Sequence, residues 1–343
     1  MKKVHIASTI QSYDVLIGNG IRHQLSSFIS QEYSNVFIIT DRNVYDLYAE
    51  DIKKSLHEHQ VYIEVVAAGE QSKSIDTFYY LHTKAIEYGL DRKSLIIALG
   101  GGVIGDLAGF VAATFMRGID YIQLPTTILA HDSSVGGKVA INHEMGKNLI
   151  GSFYPPVLVV YDIETLSTLP GHEIRSGYAE LLKEAMLSDD EVFLEGLLST
   201  SLTDELSDAM LNFIETGINI KASFVQNDEK ETGSRKFLNL GHTLGHALET
   251  KLGYGKLTHG EAVAIGMLFA MYVSEKELHA DLPRQRVSKW LTDNNYQQPI
   301  SVEMIDDIIT LMKNDKKTID HTIQMILLER LSTPVLYSID EKN

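Results

Sequence analysis

Leu95-Ile96-Ile97-Ala98-Leu99-Gly100-Gly101-Gly102-Val103-Ile104-Gly105-Asp106 decides how the first half of this chain folds. Five apolar residues with no polar alternation read as a strand buried on both faces, the kind found inside a parallel sheet. A glycine-rich turn follows, and Leu107 to about Thr114 continue as an apolar helix. Gly100, Gly102 and Gly105 have the dinucleotide-binding spacing at a strand-to-helix turn. Glycines there let a pyrophosphate approach backbone N–H groups at a helix start. A tight turn with no ligand has the same local pattern.

Working outward, compact apolar segments recur at Tyr13–Ile17, Val36–Thr40, Val61–Val66, Tyr121–Leu124 and Val157–Tyr161, separated by turn signals and helical periods. Ser74 is the N-cap of a helix whose apolar positions are Ile75, Phe78, Leu81, Ala85 and Ile86, and Gly89 ends it. Strands alternating with helices indicate a Rossmann-like α/β domain with a mostly parallel sheet. Beyond about Asp162 the periods are helical, with Leu206, Met210, Ile214, Ile218 and Val225 on one face. The chain reads as an α/β domain with the dinucleotide-type turn over 1–161 and an all-α domain over 162–343, with the default site in the cleft between them.

The bulk properties narrow the function. At 343 residues the chain exceeds one ordinary core. A formal net charge of −16 argues against nucleic acid and anionic membranes as partners, though lysines gathered in one cleft can still hold a small anion. There are no cysteines, so thiolate catalysis is excluded and any metal must be held by His, Asp or Glu. No secretory h-region follows Met1-Lys2-Lys3, and the longest apolar run, near Ala262–Val273, is too short to span a bilayer. A cytoplasmic protein is expected.

Three of the thirteen histidines fall between Arg235 and Glu261. His242 and His246 share a helix face. Thr258 and Glu261 have capping-box spacing and put His259 in the first turn of the next helix, where the partial positive charge favours a neutral, metal-binding imidazole. A divalent metal then needs one carboxylate. Glu180 supplies a candidate, with Lys183 three residues on in an otherwise apolar helix; a simple ion pair is the alternative. Lys138 and Lys147 are expected on glycine-bearing loops that suit either an anion or solvent.

Taken together these residues resemble the 3-dehydroquinate synthase family of sugar phosphate cyclases. The resemblance rests on Gly69-Glu70-Gln71-Ser72-Lys73, Gly100 to Asp106, Met116-Arg117-Gly118, Pro125-Thr126-Thr127, Asp132 to Lys138, and Gly146-Lys147-Asn148. It continues through Gly177 to Lys183, Asn239 to His246, His259-Gly260-Glu261 and Asp315-Lys316-Lys317, in family order over nearly the whole chain. Ala67 stands where the family often has proline, and the loop between Thr127 and Asp132 is one residue short.

The resemblance implies conversion of 3-deoxy-D-arabino-heptulosonate 7-phosphate to 3-dehydroquinate and phosphate. A transient NAD-dependent oxidation permits phosphate elimination, and re-reduction precedes ring opening and an intramolecular aldol closure. It implies zinc or cobalt on Glu180, His242 and His259, with His246 a catalytic group beside the metal instead of a fourth ligand. NAD contacts are implied for Asp41, Asn43, Glu70, Lys73, Gly102, Val103, Ile104, Gly105, Asp106, Thr126, Thr127, Lys138, Lys147, Thr165, Leu166, Ser167 and Thr168. Substrate contacts are implied for Asp132, Lys138, Asn148, Lys183, Lys221, Arg235, Asn239, Lys316 and Lys317, and for Arg117 lent across a homodimer. Lys138, Lys183, Arg235, Asn239 and His246 are the implied catalytic set. A related cyclase and a zinc-dependent polyol dehydrogenase are the alternatives, but a dehydrogenase of neutral polyols has no use for the cationic set. A non-catalytic nucleotide- and zinc-binding regulator would have no need of His246 and Lys183.

Overall fold

The structure, a computed structural model, describes residues 1–202, 209–253, 255–297, 299–313 and 323–339. Contacts divide the chain into two compact units, one of Met1–Thr168 with Met210–Glu229, the other of Leu169–Ala209 with Lys230–Asn343.

The first unit contains β1 (Lys2–Ile6), β2 (Tyr13–Gly18), α1 (Leu25–Phe28), β3 (Val36–Asp41), α2 (Arg42–Ser55), β4 (Val61–Val66) and α3 (Ile75–Glu87). It continues with β5 (Leu95–Gly100), α4 (Gly102–Thr114), β6 (Tyr121–Pro125), α5 (Ala130–Ser133), β7 (Lys138–His143), β8 (Gly146–Phe153) and β9 (Leu158–Asp162). Seven strands form one sheet in the order β1-β2-β9-β6-β5-β3-β4, parallel except for β1 against β2. The continuous apolar runs are explained by burial on both faces. Phe37, Ile39, Ile96 and Ala98 enter one core with α3 and α4, while Val36, Ile38, Leu95 and Ile97 enter the other with α1 and α2. The Ser74 cap is present, its hydroxyl accepting from Thr77 N–H. β7 and β8 form an antiparallel pair where the sequence suggested glycine- and lysine-bearing loops.

The second unit holds α6 (Gly171–Leu187) and α7 (Glu191–Leu198). The next helix, α8 (Met210–Asn227), belongs to the first unit, and α9 (His242–Leu252), α10 (His259–Glu277), α11 (Arg284–Asp293) and α12 (Ile305–Lys313) return to the second. A hairpin, β10 (Ile323–Arg330) and β11 (Thr333–Ile339), ends its described part, so this unit is helical with one small antiparallel sheet.

This division differs from the expected 1–161 and 162–343 in two places. The short helical turn Ile163–Thr168 stays with the sheet, because Tyr48 on α2 donates its hydroxyl to Thr165 O at 3.0 Å. Helix α8 returns to the first unit because its apolar face seats on β1, β2 and α5. Leu206, expected on that face, lies outside the described residues.

Candidate active site

In the first unit the implied nucleotide residues collect at the carboxyl ends of neighbouring parallel strands, where open α/β sheets bind their ligands. Asp41 ends β3 and caps α2, accepting from Asn43 and Val44 N–H. Its burial raises the carboxyl pKa more than those two bonds lower it. Glu70 and Lys73 follow β4, Gly102 to Asp106 open α4 after β5, Thr126 and Thr127 follow β6, and Thr165 to Thr168 follow β9. β3 and β5 are neighbours although β4 lies between them in sequence, so the connections leave β3 and β5 in opposite directions along the sheet and open a crevice.

No side chain caps α4, whose N-cap is Gly101. A Cβ at Gly101 would stand 2.9 Å from Thr127, and one at Gly102 would stand 3.1 Å from Ser133. The first turn of α4 thus keeps bare backbone beside Thr127 and Ser133, which fits an anionic diphosphate at a helix start. Lys73 is 4% exposed and donates to Asp106 Oδ2 and Asn148 Oδ1, both at 2.6 Å. Burial works against its ammonium, yet Asp106 and Glu70 hold it above the ordinary lysine pKa.

The remaining implied residues of this unit scatter more widely. Lys221, brought in by α8, donates to the Asp132 carbonyl and to Asp132 Oδ2 at 2.7 Å. Lys138 opens β7 and is exposed, and Lys147 lies on β8. Arg117 is exposed beside Met116 and Gly118 on three consecutive positive φ angles of 50°, 70° and 117°.

In the second unit three helices converge because glycines remove the side chains that would hold them apart. A Cβ at Gly260, in the first turn of α10, would fall 1.9 Å from Ser176 O on α6. A Cβ at Gly266 would fall 1.9 Å from Gly241 O, at the N-cap of α9. The capping box is complete: Thr258 accepts from Glu261 N–H, and Glu261 accepts from Thr258 N–H. Glu261 also accepts from Arg175 Nε at 2.7 Å, tying the start of α10 to α6.

These approaches bring ligand atoms of Glu180, His242 and His259 within 4.8 Å of one another. Glu180 Oε1 is buried without a hydrogen-bond partner, 3.6 Å from His259 Nε2 and 3.9 Å from His242 Nε2. Lys183 Nζ takes the other oxygen, Oε2. The Leu240 carbonyl lies 3.2 Å from His242 Nδ1, and a carbonyl can only accept, so that nitrogen carries the hydrogen and Nε2 is left as a ligand atom. Glu249 Oε2 does the same for His259 Nδ1 at 3.1 Å. One carboxylate oxygen and two imidazole Nε2 atoms are a donor set that fits zinc or cobalt held by three protein groups.

His246, Glu249 and His259 also bring donor atoms within 4.8 Å of one another. The Glu249 contact there is the hydrogen bond to His259 Nδ1, so this second grouping reads as support for a ligand. The His246 ring lies 5.3 Å from His242 and 5.9 Å from His259. Arg235 is buried in the turn Ser234–Asn239 that leads into α9, and Asn239 donates to Glu231 Oε1 and Lys236 O, each at 2.9 Å. Lys316 and Lys317 lie outside the described residues.

Two residues at these sites carried no sequence signal of their own. Glu249 follows His246 by three, an ordinary helical spacing, and its partner His259 is on another helix. Asn142, one residue before the end of β7, contacts Glu70, Lys73 and Asn148.

A family model described as 3-dehydroquinate synthase N-terminal matches residues 63–176, and one described as 3-dehydroquinate synthase C-terminal matches 177–318. The chain is 57% identical to the 3-dehydroquinate synthase of Oceanobacillus iheyensis, covering 99% of this chain and 95% of that one. It is 49% identical to that of Halalkalibacterium halodurans, covering 99% and 94%. A crystal structure of 2-deoxy-scyllo-inosose synthase complexed with carbaglucose-6-phosphate, NAD+ and Co2+ superposes with a TM-score of 0.89 at 29% identity, covering 99% of this chain and 97% of that one. With both halves of the family matched in order and relatives similar from end to end, the chain belongs to the 3-dehydroquinate synthase family.

Proposed function

We propose that this chain converts 3-deoxy-D-arabino-heptulosonate 7-phosphate to 3-dehydroquinate and phosphate, as a lyase that depends on NAD and a divalent metal. The observation that carries the reading is Glu180 Oε1, a buried carboxylate oxygen with no hydrogen bond that faces two imidazole nitrogens. Lys183 meets the carboxylate at Oε2, but a buried oxygen left without a partner is still costly, and a metal ion would satisfy it. The similar 2-deoxy-scyllo-inosose synthase, solved with NAD+ and Co2+, supports the same pair of cofactors here.

Glu180, His242 and His259 would hold zinc or cobalt. When bound, the metal supplies Lewis acidity toward a substrate hydroxyl and NAD supplies a recyclable hydride acceptor. Lys183 holds the Glu180 carboxylate in one orientation through Oε2, so that Oε1 stays directed at the imidazoles. Leu240 O and Glu249 fix the ring orientations of His242 and His259. His246, one turn along α9 from His242, places an imidazole beside the cluster that can accept or return a proton at a ring nitrogen.

Lys138, Asn148, Lys221, Arg235 and Asn239 would bind a substrate that carries both phosphate and carboxylate. Their cationic and amide donors suit those groups and are superfluous for a neutral polyol. Asp41, Asn43, Glu70, Lys73, Gly102 to Asp106, Thr126, Thr127, Lys147 and Thr165 to Thr168 would contact NAD. The exposed Arg117, on its positive-φ turn, would be the residue contributed across a homodimer. We assign the enzyme to the cytoplasm; among the described residues no helix is long and apolar enough to cross a membrane.

The test is phosphate release from the heptulosonate phosphate in the presence of NAD, which should stop with a chelator and return with zinc. Steady accumulation of NADH from a neutral polyol, without phosphate release from the sugar acid, would overturn the reading.

A further inference from the structure

Asn142 sits where β7 and β8 lose register. Ile141 pairs with Ile150, but the next pair is His143 with Gly146. An irregularity of this kind turns a residue out of the ladder and re-aims its side chain. The Asn142 N–H accordingly leaves the hairpin and donates to Lys73 O at 2.7 Å. The side-chain Nδ2 donates to Glu70 Oε1 at 2.7 Å, and Oδ1 accepts from Asn148 N–H at 2.9 Å. A carboxylate can only accept and a backbone N–H can only donate, so these partners determine which way the amide points.

Lys73 closes the ring through Asn148 Oδ1 and extends it to Asp106. Asn148 itself has a φ of 55°, in the left-handed region that asparagine tolerates better than most residues. Backbone donor, side-chain donor and side-chain acceptor of Asn142 thus tie the turn after β4 to the hairpin that carries Asn148.

We propose that Asn142 is a positioning residue that holds Glu70, Lys73 and Asn148 in their binding geometry before ligand arrives. The proposal rests on the reading that Glu70 and Lys73 contact NAD and that Asn148 contacts substrate. Its physical basis is preorganisation: side chains already ordered by a shared partner lose less freedom when the ligand binds. The anchor also sets the backbone, because the Lys73 carbonyl and the Asn148 N–H are both held, not only their side chains.

The test is a double-mutant cycle in NAD affinity, measured by equilibrium dialysis on the metal-loaded, full-length enzyme. Loss of a hydrogen bond that orders a binding residue is expected to weaken NAD about 5- to 10-fold in Asn142→Ala. In a Glu70→Ala background, where the acceptor is already gone, the same substitution should weaken NAD by less than about twofold further. In steady state the KM values for NAD and substrate should rise by a larger factor than kcat falls. Asn142→Asp keeps the shape and the acceptor for Asn148 but sets a carboxylate oxygen against Glu70, so it should bind NAD no better than Asn142→Ala while unfolding near the parent temperature.

Equal weakening by Asn142→Ala in both backgrounds would assign it a general structural role and overturn the proposal. NAD affinity within about twofold of the parent in both Asn142 variants, with Glu70→Ala weakened, would overturn it as well. Parent-like affinity in Glu70→Ala and Lys73→Ala would mean that these residues do not bind NAD, and the proposal would fall with the reading beneath it.

Discussion

Glu249 Oε2 lies 3.1 Å from His259 Nδ1, and the carboxylate is buried while His259 keeps its other nitrogen toward Glu180. A carboxylate so placed fixes the tautomer and aims the ring, leaving Nε2 as the nitrogen proposed to bind metal. Support of this kind is typically worth about 10- to 100-fold in metal affinity. Glu249→Ala should therefore weaken zinc by about 10- to 100-fold in a competition with a chromophoric chelator, and Glu249→Gln, which retains an acceptor, by less. Parent-like affinity in both variants would show that the contact does not serve the metal.

His242 and His246 share a face of α9 but have different expected roles, and one experiment separates them. His242→Ala should lose bound metal and activity together. His246→Ala should retain metal and lower kcat by about 10²- to 10⁴-fold, the usual contribution of a positioned acid–base group. Metal analysis of both variants beside their turnover checks the assignment. A metal-bearing His242→Ala enzyme would remove that residue from the ligand set.

Gly260 decides how closely α10 meets α6. An added methyl at 1.9 Å from Ser176 O cannot be relieved by a side-chain rotation, since the obstacle is backbone. Gly260→Ala should destabilise the protein by about 1–3 kcal/mol or more through overpacking. It should also lower metal affinity, because Gly260 adjoins His259 and Ser176 lies one helical turn before Glu180. Gly89→Ala is the control: its φ of 68° carries a backbone cost, but nothing lies within 4 Å of the new methyl. Denaturant unfolding and zinc titration of both variants test this, and equal effects on zinc would sink the steric argument.

The parallel sheet was legible because burial on both faces leaves an unmistakable trace in runs such as Val36–Thr40 and Leu95–Leu99. The β7–β8 hairpin was not. Most of β8 is exposed, so Gly146-Lys147-Asn148 carries the composition of a loop. Helix α8 has a clear apolar period, but a period cannot say which sheet its face will meet. The same limit applies to the proposed metal site. Capping chemistry placed His259 in a first turn, whereas Glu180 entered only as an awkward charge in an apolar helix, and Glu249 and Asn142 acquire meaning only once tertiary structure brings their partners near.

The capping box at the start of α10 should couple helix stability to metal binding. Thr258 Oγ1 accepts from Glu261 N–H, Glu261 Oε2 accepts from Thr258 N–H, and Glu261 Oε1 receives Arg175. His259 is the first residue inside that cap, so the geometry that satisfies the helix end also sets the direction of the imidazole. Thr258→Ala should cost about 1 kcal/mol in the metal-free protein, the usual worth of an N-cap side chain. If the cap preorders the ligand, up to about fivefold of zinc affinity should be lost as well, since that energy must then come from binding. A fall in metal-free stability with zinc affinity unchanged would show that the first turn is ordered without the cap, and would separate the fold of α10 from the chemistry it carries.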